Sequence, residues 1–487
     1  MLTIEEIKQF IDDDRISKKK QLAKEGLRYY EADHDIKDYR IFYFDEKGDL
    51  KEDTTRSNIK ITHPFFTELV DQKSQYQLSG KDSFIKSDIP KLQELLDQYF
   101  DDEFKAELLD LITYTSAEGF SYFYQMKNED DKSKFVFAEG LNVVEVPAKL
   151  TSDKKDYIIY YYVDKVERDK IITKIQVWDN QVTHYYIIKD DGETIEKDKS
   201  VEINPRPHTI YEDEKGVKTY ETFEYIPFFR LDNNRKQFSD LKPIKSLIDD
   251  YDLHACSLSN NLVDFDFPIY AVKGYQGTDL KELMTNLRTK KTIGVGEAGG
   301  LEVHTTDIPY EARQTKLDLD EKNIYRFGMG FNSAQIGDGN ITNIVIKSRY
   351  ALLDLKCNKL EIQLRKFLKG IIKIVLDEIN KNEKTGYSIK DVYIDFEREI
   401  MTNDKDNADI EKIKAETKNI EIGTLLDLAT YMDNETLMEQ VFELLDLNYE
   451  DYKDKLPTNA ETDLNNAMND LNNATDTNVA TIETPSE

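Results

Sequence analysis

Apolar residues recur at alternating steps of three and four over residues 243–265, where Ile244, Leu247, Ile248, Tyr251, Ala255, Leu258, Leu262 and Phe265 fall on one narrow stripe and the other faces are polar. The spacing predicts a helix, with Ser239 or Asp240 and Pro243 as its start and Phe267-Pro268 as its stop. At about 1.5 Å per residue it is a rod roughly 35 Å long. A second helical stretch is expected from Tyr310 to Phe327. A longer stripe, Leu353, Cys357, Leu360, Leu364, Phe367, Leu368, Ile371, Val375 and Ile379, predicts a helix from near Thr342 to about Lys381, roughly 60 Å in length. Between the first two rods, PIYAVKGYQGTDLKELMTNLRTKKTIGVGEAGGLEVHTTDIP alternates strand-like and helical pieces and reads as a small α/β insertion. Between the second and third lies GMGFNSAQIGDGNIT, whose four glycines and small polar residues predict a mobile loop.

Upstream, residues 1 to about 130 read as helices around a strand pair: IEEIKQFIDDD, a lysine-rich turn, YRIFYFDEKGDLKED with a hairpin at Lys47 and Gly48, and PFFTELVDQKSQYQL with Phe66, Leu69, Val70 and Lys73 at helical spacing. From about 118 to 230 the pattern changes to strands, among them FSYFYQM, KFVFA, DYIIYYYVD, KIQVWDN, THYYIIKD and FEYIPFF. Downstream come a strand in VYIDFEREI and three short amphipathic helices over 408–447, the last started by Asp433 or Asn434. Residues 456–487 have no lysine or arginine and few bulky apolar residues, and are expected to be disordered. The expected class is α+β.

At 487 residues the chain can hold two or three domains. No run approaches the roughly 20 apolar residues of a membrane span, and MLTIEEIKQFIDDD does not read as a signal peptide, so a cytosolic protein without a membrane partner is expected. Cys256 and Cys357 lie on apolar helix stripes as small hydrophobes, and six scattered histidines lack metal spacing, so no metal or other cofactor is expected. The net charge of -30, from 96 acidic and 66 basic residues, argues against a protein that clings to nucleic acid. It does not argue against one past which DNA slides, because each neutralised phosphate adds counterion-release free energy that would hold the duplex in place.

Three patterns bear on chemistry. Gly294, Gly296 and Gly299 match G-x-G-x-x-G, but strand-like LEVHTT follows where a dinucleotide site needs a helix N-terminus. No phosphate loop of the G-x-x-x-x-G-K-[ST] type and no G-x-S-x-G elbow is present, so an ATP-driven step of that kind belongs to another protein. In the second helical stretch Arg313 and Lys316 fall on one side and Lys322 and Arg326 nearly opposite, among Glu311, Asp318, Asp320 and Glu321. These cations serve either as ion-pair partners or as contacts for passing phosphates.

Four stretches in this order resemble the portal proteins of long-tailed bacteriophages of Gram-positive hosts, over about residues 20 to 450. They are RYYEADHDI with SNIKITHPFFTELVDQKSQYQLSG; EGFSYFYQM; IPFFRLDNNRKQFSDLKPIKSLIDDYDLHACSLSNNLVDF, with the spacing of Ser257, Asn260 and Asp264; and the glycine-rich loop before the long helix. Ala32 stands where the family commonly has glycine, and Thr342-Asn343-Ile344-Val345 does not reproduce its S-G-x-A.

The resemblance implies a non-enzymatic, dodecameric ring at one capsid vertex, a virion component assembled in the host cytoplasm. Double-stranded DNA would be packaged and ejected through it without sequence preference. Mapped onto this chain, residues 1–242 and 345–405 form a wing, 243–265 and 310–327 two stem helices, 266–309 a clip, 328–344 a tunnel loop, and 406–455 a crown, with 456–487 an acidic tail. Asn332, Gln335, Asp338, Asn340 and Asn343 would touch the DNA backbone from the tunnel loop. Arg313, Lys316, Lys322 and Arg326 are candidates on the stem. Leu280 and Leu283 are candidates for docking the packaging ATPase (the terminase large subunit) and then the head-to-tail adaptor. Major capsid and scaffolding proteins are further implied partners. Twelve copies would carry about -360 in formal charge (12 × -30). The alternatives are a DNA-processing enzyme such as a nuclease associated with a capsid component, whose carboxylates hold magnesium, and a monomeric interaction protein.

Overall fold

Thr3 starts the first helix, because its hydroxyl accepts the Glu6 N–H while the Glu6 carboxylate accepts the Thr3 N–H, a capping box for α1 (Ile4–Ile16). Extended Ser17 ends α1 and caps α2 (Lys18–Tyr30). The lysine-rich turn expected here is therefore the first turn of a helix. Lys20 within it is buried, and its ammonium replaces lost water by donating to the Gly140 and Val143 carbonyls at 2.6 and 2.7 Å. Strands β1 (Phe42–Phe44) and β2 (Leu50–Glu52) form the expected hairpin, turning at Gly48 with φ +85. The computed structural model describes residues 1–80, 82–128, 131–148, 155–167, 170–189, 194–212, 218–264, 269–273, 298–304, 309–332, 343–399, 404–428, 431, 433–445, 447, 449 and 452.

After α3 (Phe65–Gln77), strand β3 (Ile85–Lys86), α4 (Pro90–Asp97) and α5 (Asp102–Glu118), the chain enters its strand-rich part. Gly119 makes the sharp exit from α5: its φ is +99, and a Cβ there would lie 2.4 Å from the Gln237 carbonyl oxygen. Strands β4 (Phe120–Lys127) and β5 (Ser133–Ala138) pair antiparallel, and a third strand, Phe228–Asp232, joins β4 on its other edge with Phe229 opposite Phe123. A second sheet runs in the order β10 (Ile195–Lys197), β9 (Val182–Ile188), β8 (Lys170–Trp178), β7 (Lys155–Glu167) and β6 (Val143–Pro147), with β11 (Arg206–Pro207) on β9. Helix α1 covers one face of it through Ile7 and Ile11. A small hairpin, β12 (Thr209–Glu212) and β13 (Lys218–Glu221), precedes β14 (Phe228–Asp232). The last predicted strand of this region begins at Phe228; the FEYI before it is irregular.

Helix α6 (Lys245–Asp264), the antiparallel strands β15 (Ile269–Lys273) and β16 (Gly300–His304), α7 (Tyr310–Gly328) and the 41-residue α8 (Asn343–Glu383) follow. All nine residues of the predicted α8 stripe are buried. From Leu360 to Ile379 the stripe forms the main core with Leu92 and Leu96 of α4, Leu108, Leu111 and Ile112 of α5, and Phe123 and Phe135 of the first sheet. Gly299 is followed by β16 and not by a helix, as the sequence pattern required; Gly294 and Gly296 lie outside the described residues. The strand expected in VYIDFEREI is only β17 (Tyr393–Ile394), paired with β3.

Apart from Asn343, the first residue of α8, the elements described so far lie in a unit of residues 1–340 and 344–400, and a second unit comprises 341–343 and 401–487. In the second unit, α9 (Asp404–Asp427) is one 24-residue helix where two short ones were expected; no proline interrupts it, and its one glycine, Gly423, sits near the end. Helix α10 (Asn434–Leu444) starts at Asp433, whose carboxylate accepts the Thr436 N–H at 2.9 Å. The tail expected to be disordered, 456–487, lies outside the described residues.

Candidate functional site

Two polar rods, α6 and α7, stand side by side. Their direction is antiparallel, because Lys316 of α7 reaches Asp250 near the start of α6 while Arg313, one turn earlier, reaches Asn261 near its end. The pair is rooted in a core cluster in which Ile244, just before α6, Ile248 of α6, and Ile324 and Tyr325 of α7 meet Phe66, Leu69 and Val70 of α3. The pair nevertheless leaves apolar side chains uncovered. Leu262 and Val263 on α6, and Tyr310, Leu319 and Phe327 on α7, are each more than half exposed.

The segment 57–63 lies along α6 as an extended strap. Its alternate backbone N–H groups, at Ser57, Ile59, Ile61 and His63, donate in turn to Asp264 at 3.1 Å, Asn260 at 2.6 Å, Cys256 Sγ at 3.2 Å and Asp252 at 3.1 Å. Two residues of extended chain advance about 6.6 Å and four residues of helix about 6 Å, so every second strap amide finds every fourth helix side chain. The S-N-x-K stretch and the Asn260/Asp264 spacing, separate in the sequence, thus clasp each other.

The strongest rung is Asp252, fully buried. His34 Nδ1 lies 2.6 Å from one of its oxygens and His63 Nδ1 2.7 Å from the other. A carboxylate only accepts, so both imidazoles carry a proton on Nδ1 there. Burial pushes the Asp252 carboxyl up, but the bonds from His34 and His63 outweigh it and hold the group below the usual carboxylate range. Tyr29 stacks on the His34 ring at 4.6 Å, and Lys245 ties the start of α6 to Asp35 at 2.6 Å and Asp249 at 2.9 Å.

The stem candidates divide by side, as their helical positions required. Lys316 pairs with Asp250 and Asp320. With the Asn261 amide oxygen turned toward it, Arg313 donates through both terminal nitrogens at 2.6 and 2.5 Å. Lys322 and Arg326 are exposed and have no ion pair among the described residues. Of the loop candidates, Gln335, Asp338 and Asn340 lie outside the described residues, and Asn343 is described only as the first residue of α8. Leu280 and Leu283 also lie outside them.

The beginning of the loop expected to be mobile is docked. Met329, in the left-handed region with φ 56, ends α7, and the next turn brings Gly330 against Leu69. Gln72 then brackets Phe331, donating to its carbonyl at 2.7 Å and accepting its N–H at 2.9 Å, while the Phe331 ring stacks on Tyr350 at 4.8 Å. Asn332 donates to Glu321 at 2.9 Å. An aromatic residue after the glycine pair was the available sign of this docking.

A profile of the family described as "Phage portal protein, SPP1 Gp6-like" matches residues 9–451. The portal protein of Bacillus phage SPP1 is 29% identical over 385 residues, which is 78% of this chain and 75% of that protein. The portal protein of Clostridium phage phiCD119 is 24% identical over 430 residues, 84% of this chain and 89% of that one.

Proposed function

The chain belongs to the SPP1 Gp6-like family of phage portal proteins, structural components of the virion, and on that premise we propose that twelve copies close into a ring around a channel for double-stranded DNA. The observation that carries this reading is the rooted, antiparallel α6/α7 pair with five apolar side chains uncovered. Fully burying a side chain of this kind contributes about 1.5–3 kcal/mol, so five that are half exposed leave roughly 5 kcal/mol per copy for a neighbour to collect. The polar faces are then left for the bore.

In this reading α6 and α7, at 245–264 and 310–328, are the stem mapped to 243–265 and 310–327. The wing is 1–242 with 345–405, the clip 266–309, the tunnel loop 328–344 and the crown 406–455. Lys322 and Arg326 are the stem cations free to meet phosphate, since Arg313 and Lys316 are held within the chain. Asn332, Gln335, Asn340 and Asn343 offer the loop's weaker contacts, since an uncharged amide bonds phosphate without counterion release, and Asp338, a carboxylate that repels phosphate, keeps contacts at the loop loose. The clip docks the terminase large subunit first and the head-to-tail adaptor afterwards, major capsid and scaffolding proteins surround the ring, and assembly takes place in the host cytoplasm.

Negative-stain imaging of the purified chain tests the ring directly. A ring with a central hole is expected, and Leu319→Lys combined with Phe327→Lys abolishes it. A closed single molecule, or rings undisturbed by the double substitution, refutes the reading. For the clip, Leu280→Asp or Leu283→Asp is expected to abolish terminase binding, and unchanged binding removes that assignment.

A further inference from the structure

Beside the root of the helix pair lies a cavity of about 720 Å³, walled by the 233–243 segment, the end of α7 and the first half of α8. On its floor two buried ammonium groups share one carboxylate: Lys73 and Lys356 lie 2.8 and 3.3 Å from Asp240. Lys73 also donates to Asn233 at 2.7 Å and Lys356 to the Gly328 carbonyl at 2.9 Å. Burial pushes Asp240 up, but Lys356 and Lys73 outweigh it and hold the group far below the usual carboxylate range, while burial pulls the Lys356 ammonium down from its ordinary value.

Around the floor stand Arg235, Lys236, Lys242 and Lys359, all exposed. Among the described residues none of the four has a carboxylate partner; Lys242 rests instead on the Phe238 ring, 3.2 Å from its centre. In a chain with 96 acidic and 66 basic residues, cations this concentrated and unpaired are out of keeping with the rest of the surface.

We propose that this cavity is a socket for carboxylates of a second copy of the chain, the adjacent member of the ring. The inference rests on the ring reading above. Charge complementarity carries it: the neighbour's surface offers carboxylates in large excess, and side chains can enter a recess whose floor a stiff duplex does not reach. A duplex is also the poorer occupant on energetic grounds. Four rim cations in each of many copies would neutralise many phosphates and hold the DNA in place, against the function of a conduit. The socket relieves in part the repulsion that like-charged copies exert on one another.

Zero-length carbodiimide coupling of rings assembled from equal amounts of ¹⁵N-labelled and unlabelled chain tests the proposal, since the reagent joins only amines and carboxylates in contact. Peptides containing Lys236, Lys242 or Lys359 are expected joined to Asp or Glu peptides, with labelled and unlabelled halves mixed. As a second measure, Lys236→Glu with Lys359→Glu, both on exposed positions, is expected to raise the protein concentration for half-assembly about tenfold or more at low salt. An unchanged circular-dichroism melt shows that the variant is folded. Rings whose lysines couple only within one chain or not at all, or a charge-reversed variant that assembles normally and loses only duplex retention, overturn the proposal while leaving the ring intact. Absence of rings from the unaltered chain instead defeats the ring reading on which the proposal rests.

Discussion

Replacing Asp252 with alanine removes the acceptor for three N–H groups at once: His34 Nδ1, His63 Nδ1 and the His63 amide. Hydrogen bonds to a charged partner contribute about 1.5–3 kcal/mol each, and a buried donor left without an acceptor costs about 1–3 kcal/mol. The His63 side chain is 29% exposed, so water recovers part of its share, whereas His34 is fully buried and has no substitute. The net loss is then about 3–5 kcal/mol, spent mostly on the strap. Hydrogen exchange of the Ser57, Ile59, Ile61 and His63 amides reads it locally. A loss of 3 kcal/mol lowers protection about a hundredfold. Asn260→Ala, which removes only the Ile59 acceptor at an exposed rung, costs about 0.5–1.5 kcal/mol and serves as the comparison. Unaltered protection at Ile59 and Ile61 in the Asp252→Ala protein would show that the strap is held by something other than this ladder.

Asp240→Ala leaves two buried ammonium groups without their carboxylate and is expected to cost about 3–5 kcal/mol in a denaturation midpoint. Because the folded protein holds Asp240 below its ordinary value of 3.8, the stabilisation is complete above that pH and is lost as pH falls beneath it; acid titration of stability should show the loss in the parent and not in the variant. Burial pushes the Cys357 thiol up to about 11, so iodoacetamide at pH 8 should spare it in the folded chain and label it in urea; rapid native labelling would contradict that placement. Ring yield should rise with ionic strength as the charge of assembled copies is screened, and a size series across salt that shows no change would remove the repulsion from the account.

The elements that position the rods were legible because their burial is one-sided. An amphipathic stripe is a local statement, and Leu353 through Ile379 announced both α8 and the face it buries. The boundaries of α6 and α7 came within two residues for the same reason, their apolar spacing and flanking prolines being local too. Long-range partnerships were not legible. Nothing near His34 or His63 states that both meet Asp252, some 190 to 220 positions later, and the role of Asn260 and Asp264 as acceptors for strap amides exists only once the strap is laid on the helix. The rim cations share this difficulty. Arg235 and Lys236 read as one more charged turn until Lys359 and the buried Lys73 and Lys356 are brought beside them. Lys18 to Lys20 misled in the opposite sense, as a cluster of charge that folding turns into a helix start with one member buried.

The ladder between strap and α6 behaves as a rack engaged on a thread. Its two pitches differ by about 0.6 Å per rung, so three steps accumulate about 2 Å, and the engagement cannot extend far beyond the four rungs observed. Turning the rod by a single residue would swing all four acceptors through about 100° and disengage them together. Any torque on α6, which in the proposed ring passing DNA would supply, is therefore met either by no slip or by complete release, and reaches the N-terminal part of the chain as a step.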